Sequence, residues 1–573
     1  MDFEPKGPAG PFFMRINDQP IWTPFVSLAL AAAWLLPNAH PPWVAFHKDA
    51  FMAFVLLVTS CVVMLCGWRS RAESRWDLLS AYFVGLAILT AFQWMFGVIE
   101  FAGKAFLGLS YFLAAGWAIY VGRFWATWSP GHVERFLFPS FVVAGLLTAG
   151  IVYGQWAQVD MHPVWFSFLP PGERPYGNLN QANNAGSLLL LSLISMAWLM
   201  LRRGVGLGVF LLSAAFLIGA IILTASRITF ISLVSLLVAA TYFSWRRQGL
   251  RAYKGVPIVL LLIFCSIFLA QQYGWGDAVE NSNPLRRDLT GVRMLAYRAF
   301  GEAIWAGPIW GFGFDQAVAA QLFSGNSGHK LPGLFGWTHN FILDIAVWFG
   351  WPVALVGVVL GGWSIFRVRR LKIDSSVAAS IACIIVLLLH GMVELPLAYA
   401  YFLLPFCLLV GAIFSRSTIP AIKLGGAIAW AWLIGLVILL WALWSDYLRV
   451  EAAFNEWRFK AARIGLIPEK IVVDVRTLDQ FSVLIEGLDA DPAKPINIDV
   501  ERFRSAVLLF PSPYALQRLV LLQVKTGDTE AARKSIEITR LLTVSETNRD
   551  MAAQWRAWQK MDPDLARVQW GTD

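Results

Sequence analysis

Side chains that can handle phosphate groups and protons occur in four short polar clusters of an otherwise apolar chain. Polar groups within apolar segments cost free energy, so such clusters are candidate functional sites. They comprise Glu173–Asn184, with Arg174 and Gln181; Thr224–Thr229, with Arg227; the segment Arg286–Asn340, with Arg287, Arg293, Arg298 and His339; and His390–Pro396, with Glu394.

These side-chain types favour chemistry on a phosphorylated lipid. A guanidinium group is a planar fork that matches phosphate oxygens, and Arg227 is flanked by hydroxyl residues. A histidine at a membrane–water boundary, such as His339, can be neutral near pH 7 and accept a proton. The apolar part of the chain contains no Asp-x-Asp motif and no Walker loop. We therefore expect arginines rather than a metal ion to hold phosphate, and we expect no cofactor.

Each cluster also has a simpler interpretation. Arg227 could extend to the interface and anchor a helix end. His339 could cap or fill a junction between a loop and a helix. Glu394 and His390 lie four residues apart and could satisfy each other. Arg286 and Arg287 could form a solvated loop face or contact lipid headgroups.

The elements that position these clusters are membrane helices. Of the 573 residues, 57% are hydrophobic and only 14% are charged, with a mean hydropathy of +0.59, whereas soluble domains have about 25% charged residues. Apolar runs of about 20 residues are long enough to cross a bilayer. They predict an all-α polytopic membrane protein with about 13 transmembrane helices, near 19–39, 50–68, 78–99, 105–122, 136–156, 183–201, 204–224, 228–245, 255–272, 341–366, 375–393, 397–415 and 424–445.

Charge sets the predicted orientation. Arginine and lysine are concentrated in alternate connections, among them 69–75, 246–254 and 367–372, and such loops are typically cytoplasmic. We therefore expect a cytoplasmic N-terminus, a transmembrane domain over 1–445 with a large periplasmic loop at 273–338, and a periplasmic domain over 446–573. Because topology explains much of the net charge of +9, we expect membrane lipids but no nucleic acid as partners.

The tail has helical periodicity. Apolar residues recur at helical spacing from Tyr514, Gly527-Asp528 interrupts the pattern, and an Ala-rich segment resumes it at Thr529. A helix, a turn and a second helix are typical of a tetratricopeptide unit, which binds proteins. The alternative is a small helical cap without a ligand.

The clusters, in this order, resemble the bacterial O-antigen ligase superfamily, and most closely its protein O-oligosaccharyltransferase branch, the PglL-like enzymes. The segments that carry the resemblance are the loop His40–Ala50; Arg174–Asn184, similar to an R-x-x-G-x-x-x-Q-x-N segment; Ser226-Arg227; Arg293 followed by Gly307–Gly313; His339-Asn340; and His390–Phe402. The sequence departs from the family pattern at Ile228-Thr229, Tyr297 and Leu395.

The resemblance implies a metal-independent glycosyltransferase in the bacterial inner membrane, acting at the periplasmic face. Its donor would be a glycan linked to undecaprenyl pyrophosphate, and its acceptor a Ser or Thr hydroxyl of a periplasmic protein such as a pilin. His339 would be the catalytic base, with Arg227, Arg293 and Arg174 at the pyrophosphate. Gln181, Asn340, His390 and Glu394 are further site candidates.

Three alternatives remain open at this stage. An O-antigen ligase would use the same site to transfer the glycan to lipid A core. A glycan polymerase shares the large loop but less of the His-Asn and Ser-Arg pattern. A transporter would show inverted-repeat hydropathy, which the sequence lacks.

Overall fold

The chain is an all-α polytopic membrane protein. Its computed structural model describes residues 15–16, 19–20, 22–246, 248–274, 289–465 and 471–571, so the predicted loop arginines Arg286 and Arg287 lie outside the described residues. The apolar part contains α1 Trp22–Leu35, α2 Phe46–Arg69, α3 Leu78–Met95, α4 Ala102–Trp128, α5 His132–Trp156, α6 Ala182–Leu201, α7 Leu207–Leu223, α8 Arg227–Arg246, α9 Val256–Gly274, α10 Leu289–Ala306, α11 Ala317–Asn326, α12 Phe341–Phe349, α13 Trp351–Val368, α14 Ser375–Gly391, α15 Ala400–Ser415 and α16 Gly426–Ala461.

The tail contains five further helices, which are α17 Asp479–Asp489, α18 Val500–Leu509, α19 Pro513–Lys525, α20 Thr529–Leu542 and α21 Ser545–Met561. The predicted helix–turn–helix is present, with Gly527 in the left-handed region at φ +86°. The Asp528 side chain accepts a hydrogen bond from Ala531 N and so caps α20. Whether this unit binds a protein, as tetratricopeptide units do, stays a prediction.

A helix occupies each of the 13 predicted spans. Among the described residues, nine helices are long and apolar enough to cross a membrane, and four shorter apolar helices lie at Phe25–Leu35, Leu207–Leu223, Ser375–Gly391 and Ala400–Ser415. The predicted span 341–366 is not one helix, because Gly350 at φ +85° separates α12 from α13. The number of crossings therefore stays a prediction.

Helix α16 connects the membrane part to the tail without a break. It has 36 residues, or about 54 Å at 1.5 Å per residue, against roughly 30 Å for a hydrocarbon core. The predicted domain boundary at 445 thus falls inside a helix, and the helix continues for some four turns into the tail.

Two short strand pairs accompany the helices. Strand β1 Arg15–Ile16 pairs antiparallel with β2 Gln19–Pro20, and β3 Arg75–Asp77 pairs antiparallel with β4 Ala421–Lys423. Near the other end of α3, Gln93 Oε1 accepts from Phe314 N in the large loop, and Gln93 Nε2 donates to Trp348 O in α12 at 2.7 Å. The β3–β4 pair therefore lies at the end of the helical bundle opposite the large loop.

Candidate active site

The segment before α12 places His339 at a helix N-terminus. The Asn340 side chain accepts hydrogen bonds from the backbone N–H groups of Ile342 at 3.0 Å and Leu343 at 3.2 Å, which makes it the N-cap. Its Nδ2 donates to Met392 O at 3.1 Å. Asn340 thus joins the large loop to the segment that follows α14.

Buried hydrogen bonds fix the backbone around His339. Thr338 N donates to Asp344 Oδ1 at 2.9 Å, and Thr338 Oγ1 donates to Asn340 O at 2.9 Å. His339 itself has φ +59°, a left-handed conformation that costs a non-glycine residue roughly 1–2 kcal/mol. Strain of this kind persists only where the surroundings enforce it, and it is common at functional sites.

Glu394 gathers side chains from three other elements. Its Oε2 lies 3.1 Å from His339 Nδ1 and 3.5 Å from Gln181 Nε2, and its Oε1 forms an ion pair with Arg293 of α10. The glutamate side chain is only 7% exposed. Burial acts to raise the pKa of Glu394, but the hydrogen bond to His339 and the nearby positive charges outweigh it and hold the pKa below its usual range. The carboxylate is therefore ionised at neutral pH.

The contact with Glu394 determines the chemistry available to His339. A carboxylate can only accept hydrogen bonds, so Nδ1 carries a proton, and in the neutral form of the ring Nε2 then keeps its lone pair. Among the described residues, none hydrogen-bonds to Nε2, and the side chain is 30% exposed. The Phe335 ring meets the imidazole edge to face at 5.8 Å. The His339 imidazole is thus oriented by Glu394 and Phe335, and its Nε2 is left open.

Helix α10 lies over this group. Besides Arg293, it contributes Tyr297, whose hydroxyl is 3.3 Å from both His339 O and Met392 O. Burial raises the pKa of Tyr297, so the phenol stays protonated and can donate. The sequence singled out Tyr297 only as a departure from the family pattern and did not predict this contact.

The remaining predicted residues lie around α6 and α8. His390 is buried, and its Nδ1 is 2.8 Å from Ser187 Oγ. Arg174 Nη1 donates to Ala225 O at 3.2 Å, in the turn immediately before Arg227, the first residue of α8. The structure therefore brings together His339, Asn340, Glu394, Arg293 and Gln181, with Arg174 and Arg227 as a second group at one turn.

One sequence alternative is wrong. Glu394 and His390 do not satisfy each other, because Glu394 binds His339 and Arg293 while His390 binds Ser187. Asp344 and Thr338 were missed as positioning residues. The signal for them is a capping residue, Asn340, directly before the apolar run of α12, with an acidic residue in its first turn.

Fold and site together define a polytopic membrane protein that holds a histidine–carboxylate pair beside a positive charge. Residues 212–358 match the family described as "O-Antigen ligase", and residues 378–556 match the one described as "Virulence factor membrane-bound polymerase, C-terminal". The two regions make up more than half of the chain; His339 lies in the first and Glu394 in the second. The chain belongs to the O-antigen ligase superfamily, as the motifs predicted.

Two proteins from Acinetobacter baylyi (strain ATCC 33305 / BD413 / ADP1) are similar to this chain, and both are named as O-oligosaccharyltransferases. The chain is 27% identical over 534 residues to a "General O-oligosaccharyltransferase", which covers 89% of this chain and 90% of the relative. It is 24% identical over 257 residues to a "ComP-specific O-oligosaccharyltransferase", covering 43% of this chain and 44% of the relative. These similarities support a glycosyltransferase activity.

Proposed function

We propose that the protein transfers a preassembled oligosaccharide en bloc from undecaprenyl pyrophosphate to Ser or Thr hydroxyls of periplasmic proteins, pilins among them. The observation that carries this proposal is the hydrogen bond between Glu394 and His339 Nδ1, which leaves Nε2 open for a substrate hydroxyl. Similarity to a general O-oligosaccharyltransferase over 89% of the chain supports it.

In the proposed reaction, His339 Nε2 takes the proton of the acceptor hydroxyl. The acceptor oxygen bonds to the anomeric carbon of the first sugar, the bond from that carbon to the phosphate oxygen breaks, and undecaprenyl pyrophosphate leaves with the electron pair. Glu394 stabilises the imidazolium that forms, since a carboxylate on Nδ1 holds both the tautomer and the charge. The proton then passes to solvent.

Arginines would stabilise the charge that develops on the leaving pyrophosphate. Arg293 is 31% exposed and forms an ion pair with Glu394, the same carboxylate that contacts His339. Without donor, Glu394 neutralises Arg293; a bound pyrophosphate would compete for the guanidinium. Arg174 and Arg227, at their shared turn, are the second proposed contact.

The other candidates take supporting roles in this proposal. Gln181 reaches Glu394 from the start of α6, which supports a role in contacting the first sugar or the phosphates. Asn340 holds the His339 loop. His390 binds Ser187 and so fixes α14 against α6.

We place the protein in the bacterial inner membrane as a multi-pass protein with a cytoplasmic N-terminus. The proposed active site and the C-terminal domain (residues 446–573) then face the periplasm. The distribution of basic residues supports this orientation.

A second candidate is an O-antigen ligase whose acceptor is lipid A core. The match of residues 212–358 to the O-antigen ligase family favours it. The site chemistry would be the same, and only the acceptor would differ.

The test is reconstitution of the purified protein with a lipid-pyrophosphate glycan and a Ser-rich periplasmic protein, followed by intact mass measurement. We expect a glycan-sized mass gain with the wild type and its loss in His339→Ala, because a general base contributes about 10²–10⁴-fold. His329→Ala is the matched control, since His329 lies on the same loop, is 52% exposed and pairs with Glu302; it should transfer normally.

Each other outcome is informative. Transfer to lipid A core but not to protein would move the function to the ligase. Normal transfer by a well-folded His339→Ala variant would remove His339 from catalysis. No transfer by the wild type to either acceptor would contradict the proposed function.

A further inference from the structure

Helix α11 is shared between the loop that carries His339 and the C-terminal domain. Ala317 and Ala320 are buried in an apolar cluster that includes residues of α10 and α12. Val318 is buried in the core of the C-terminal domain, and Leu322 packs against that core. One short helix thus joins the proposed catalytic region to the tail.

Both the oxygen and the nitrogen of the Gln321 side-chain amide, in α11, form hydrogen bonds at this junction. Gln321 is 2% exposed. Its Oε1 accepts from Phe335 N at 2.9 Å, while Nε2 donates to Gly333 O at 2.7 Å and lies 3.4 Å from Leu541 O in α20. Removing the amide would leave buried backbone groups unsatisfied, which costs about 1–3 kcal/mol per group.

The C-terminal domain touches the same loop directly. Gly333 has φ +140°, and a Cβ built on it would come within 3.2 Å of Val544 Cγ1, at the start of α21. A Cβ on Gly325 would lie 3.3 Å from Leu541 Cδ2. The α20–α21 connection therefore packs closely against α11 and the loop before His339, where an added Cβ would be in tight contact.

Phe335 connects Gln321 to His339. Its backbone N–H is held by Gln321, and its ring meets the His339 imidazole edge to face. The ring of His339 is thus positioned by two groups, Glu394 at Nδ1 and Phe335 at its face or edge. Of these two groups, Phe335 is the one that a hydrogen bond links directly to α11, through Gln321.

We propose that Gln321 is a positioning residue that makes the orientation of the His339 imidazole depend on the seating of the C-terminal domain. It acts through Phe335 and does not touch substrate. The catalytic consequence rests on the proposed function, because it assumes that His339 is the base.

The first test is kinetic. Gln321→Leu removes the three hydrogen bonds at similar size, and we expect kcat to fall by roughly tenfold to 10²-fold, the range for a misplaced catalytic group, with donor KM unchanged. Gln517→Leu is the matched control, since Gln517 is a buried glutamine of the C-terminal domain, away from α11, and donates to Met551 O at 3.2 Å. It should lower Tm comparably and leave kcat unchanged.

A double-mutant cycle tests the route through Phe335. If Gln321 acts through Phe335, then Gln321→Leu combined with Phe335→Leu should lower kcat no further than Phe335→Leu alone. Additive losses, or equal kcat losses in Gln321→Leu and Gln517→Leu, would overturn the proposal.

A second readout does not need glycan transfer. The rate of His339 modification by diethyl pyrocarbonate, followed by peptide mass spectrometry, reports access to the imidazole, with His329 as the internal reference. We expect a changed His339 to His329 ratio in Gln321→Leu and an unchanged ratio in Gln517→Leu. An unchanged ratio in both variants overturns the inference even if transfer occurs, and a wild type without transfer overturns only the proposed function.

Discussion

Glu394 contacts more residues of the candidate site than any other described residue does. It contacts the His339 loop, α10 through Arg293, and the start of α6 through Gln181. One carboxylate therefore has two duties that depend on the same charge: it orients the His339 imidazole and it pairs with Arg293. A donor pyrophosphate would relieve the second duty and leave the first.

We predict that Glu394→Gln separates these duties. The neutral amide no longer stabilises an imidazolium, so kcat should fall by roughly 10²–10⁴-fold. It also releases Arg293 for pyrophosphate, so donor KM should fall rather than rise. Initial rates against donor concentration measure both effects.

The matched control is Asp315→Asn, which removes the charge from another partly buried ion pair, Lys104–Asp315, at the same end of the bundle. It should change neither constant. A rise in donor KM in Glu394→Gln would contradict the competition between Glu394 and pyrophosphate.

The pKa of Glu394 adds a pH dependence to stability. Because the folded pKa is lower than the usual value of 4.5, the stabilising contribution of Glu394 is complete above 4.5 and is lost as the pH falls through the folded pKa. The Tm difference between the wild type and Glu394→Gln should stay constant from pH 7 to about 4.5 and shrink below it.

Residue types and order predicted His339, Arg293, Glu394 and Gln181, but not their pairing. The four-residue spacing of His390 and Glu394 suggests a contact on one helix face. Helix α14 ends at Gly391, however, so Glu394 leaves the helix and turns towards His339. A helix end set by tertiary packing has no strong local signal, which is why the sequence left this pairing open.

At the scale of elements, the break at Gly350 explains the glycine-rich segment Gly307–Gly313. A Cβ on Gly350 would meet the backbone of Ile309, and a Cβ on Gly311 would meet the backbone of Trp348 and Phe349. Both glycines also have positive φ. The loop and the break between α12 and α13 thus approach backbone to backbone, and this contact sets the position of α12 behind His339.

We predict that Gly311→Ala destabilises this contact by at least about 1–2 kcal/mol, the cost of left-handed geometry alone. Tm in detergent should fall, and transfer should fall with it because α12 shifts. Gly301→Ala is the control: Gly301 lies in α10 with open space around it, so alanine should be neutral or stabilising by up to about 1 kcal/mol. Equal stability of the two variants would show that the close approach is unimportant.

The sequence predicted a single helix over 341–366 because every residue near the break except Gly350 and Pro352 favours an apolar helix. Hydropathy does not detect a change of helix direction between two apolar segments. The adjacent glycine and proline were the available signal, since Pro352 lies in the first turn of α13, where its missing N–H is not needed.

At the scale of the whole molecule, orientation is the main untested prediction. In a variant with Cys61, Cys66, Cys265, Cys383 and Cys407 replaced, Lys330→Cys should react with a membrane-impermeant maleimide in spheroplasts, because Lys330 is exposed on the large loop. Lys423→Cys, exposed in β4 at the opposite end, should react only after permeabilisation. The reverse pattern would place His339 in the cytoplasm.

Helical patterns in the tail predicted two of its helices, α19 and α20, but not how the tail packs on the rest of the chain. Gly103 N donates to Asp479 Oδ1, and Val318 lies in the tail core. Partners separated by more than 150 residues have no local periodicity that relates them. The tail is therefore part of the structure around His339 rather than an appended module.

The shared helix α11 also has a consequence for the order of synthesis. Val318 leaves the ribosome well before the residues that cover it, from Leu484 onwards. At roughly 5–20 residues per second, the delay is on the order of ten to thirty seconds. A newly inserted chain would spend that time with an uncovered apolar face and an unsupported His339 loop, until its last hundred residues had been synthesised and had folded. A chain whose tail is incomplete would thus remain inactive.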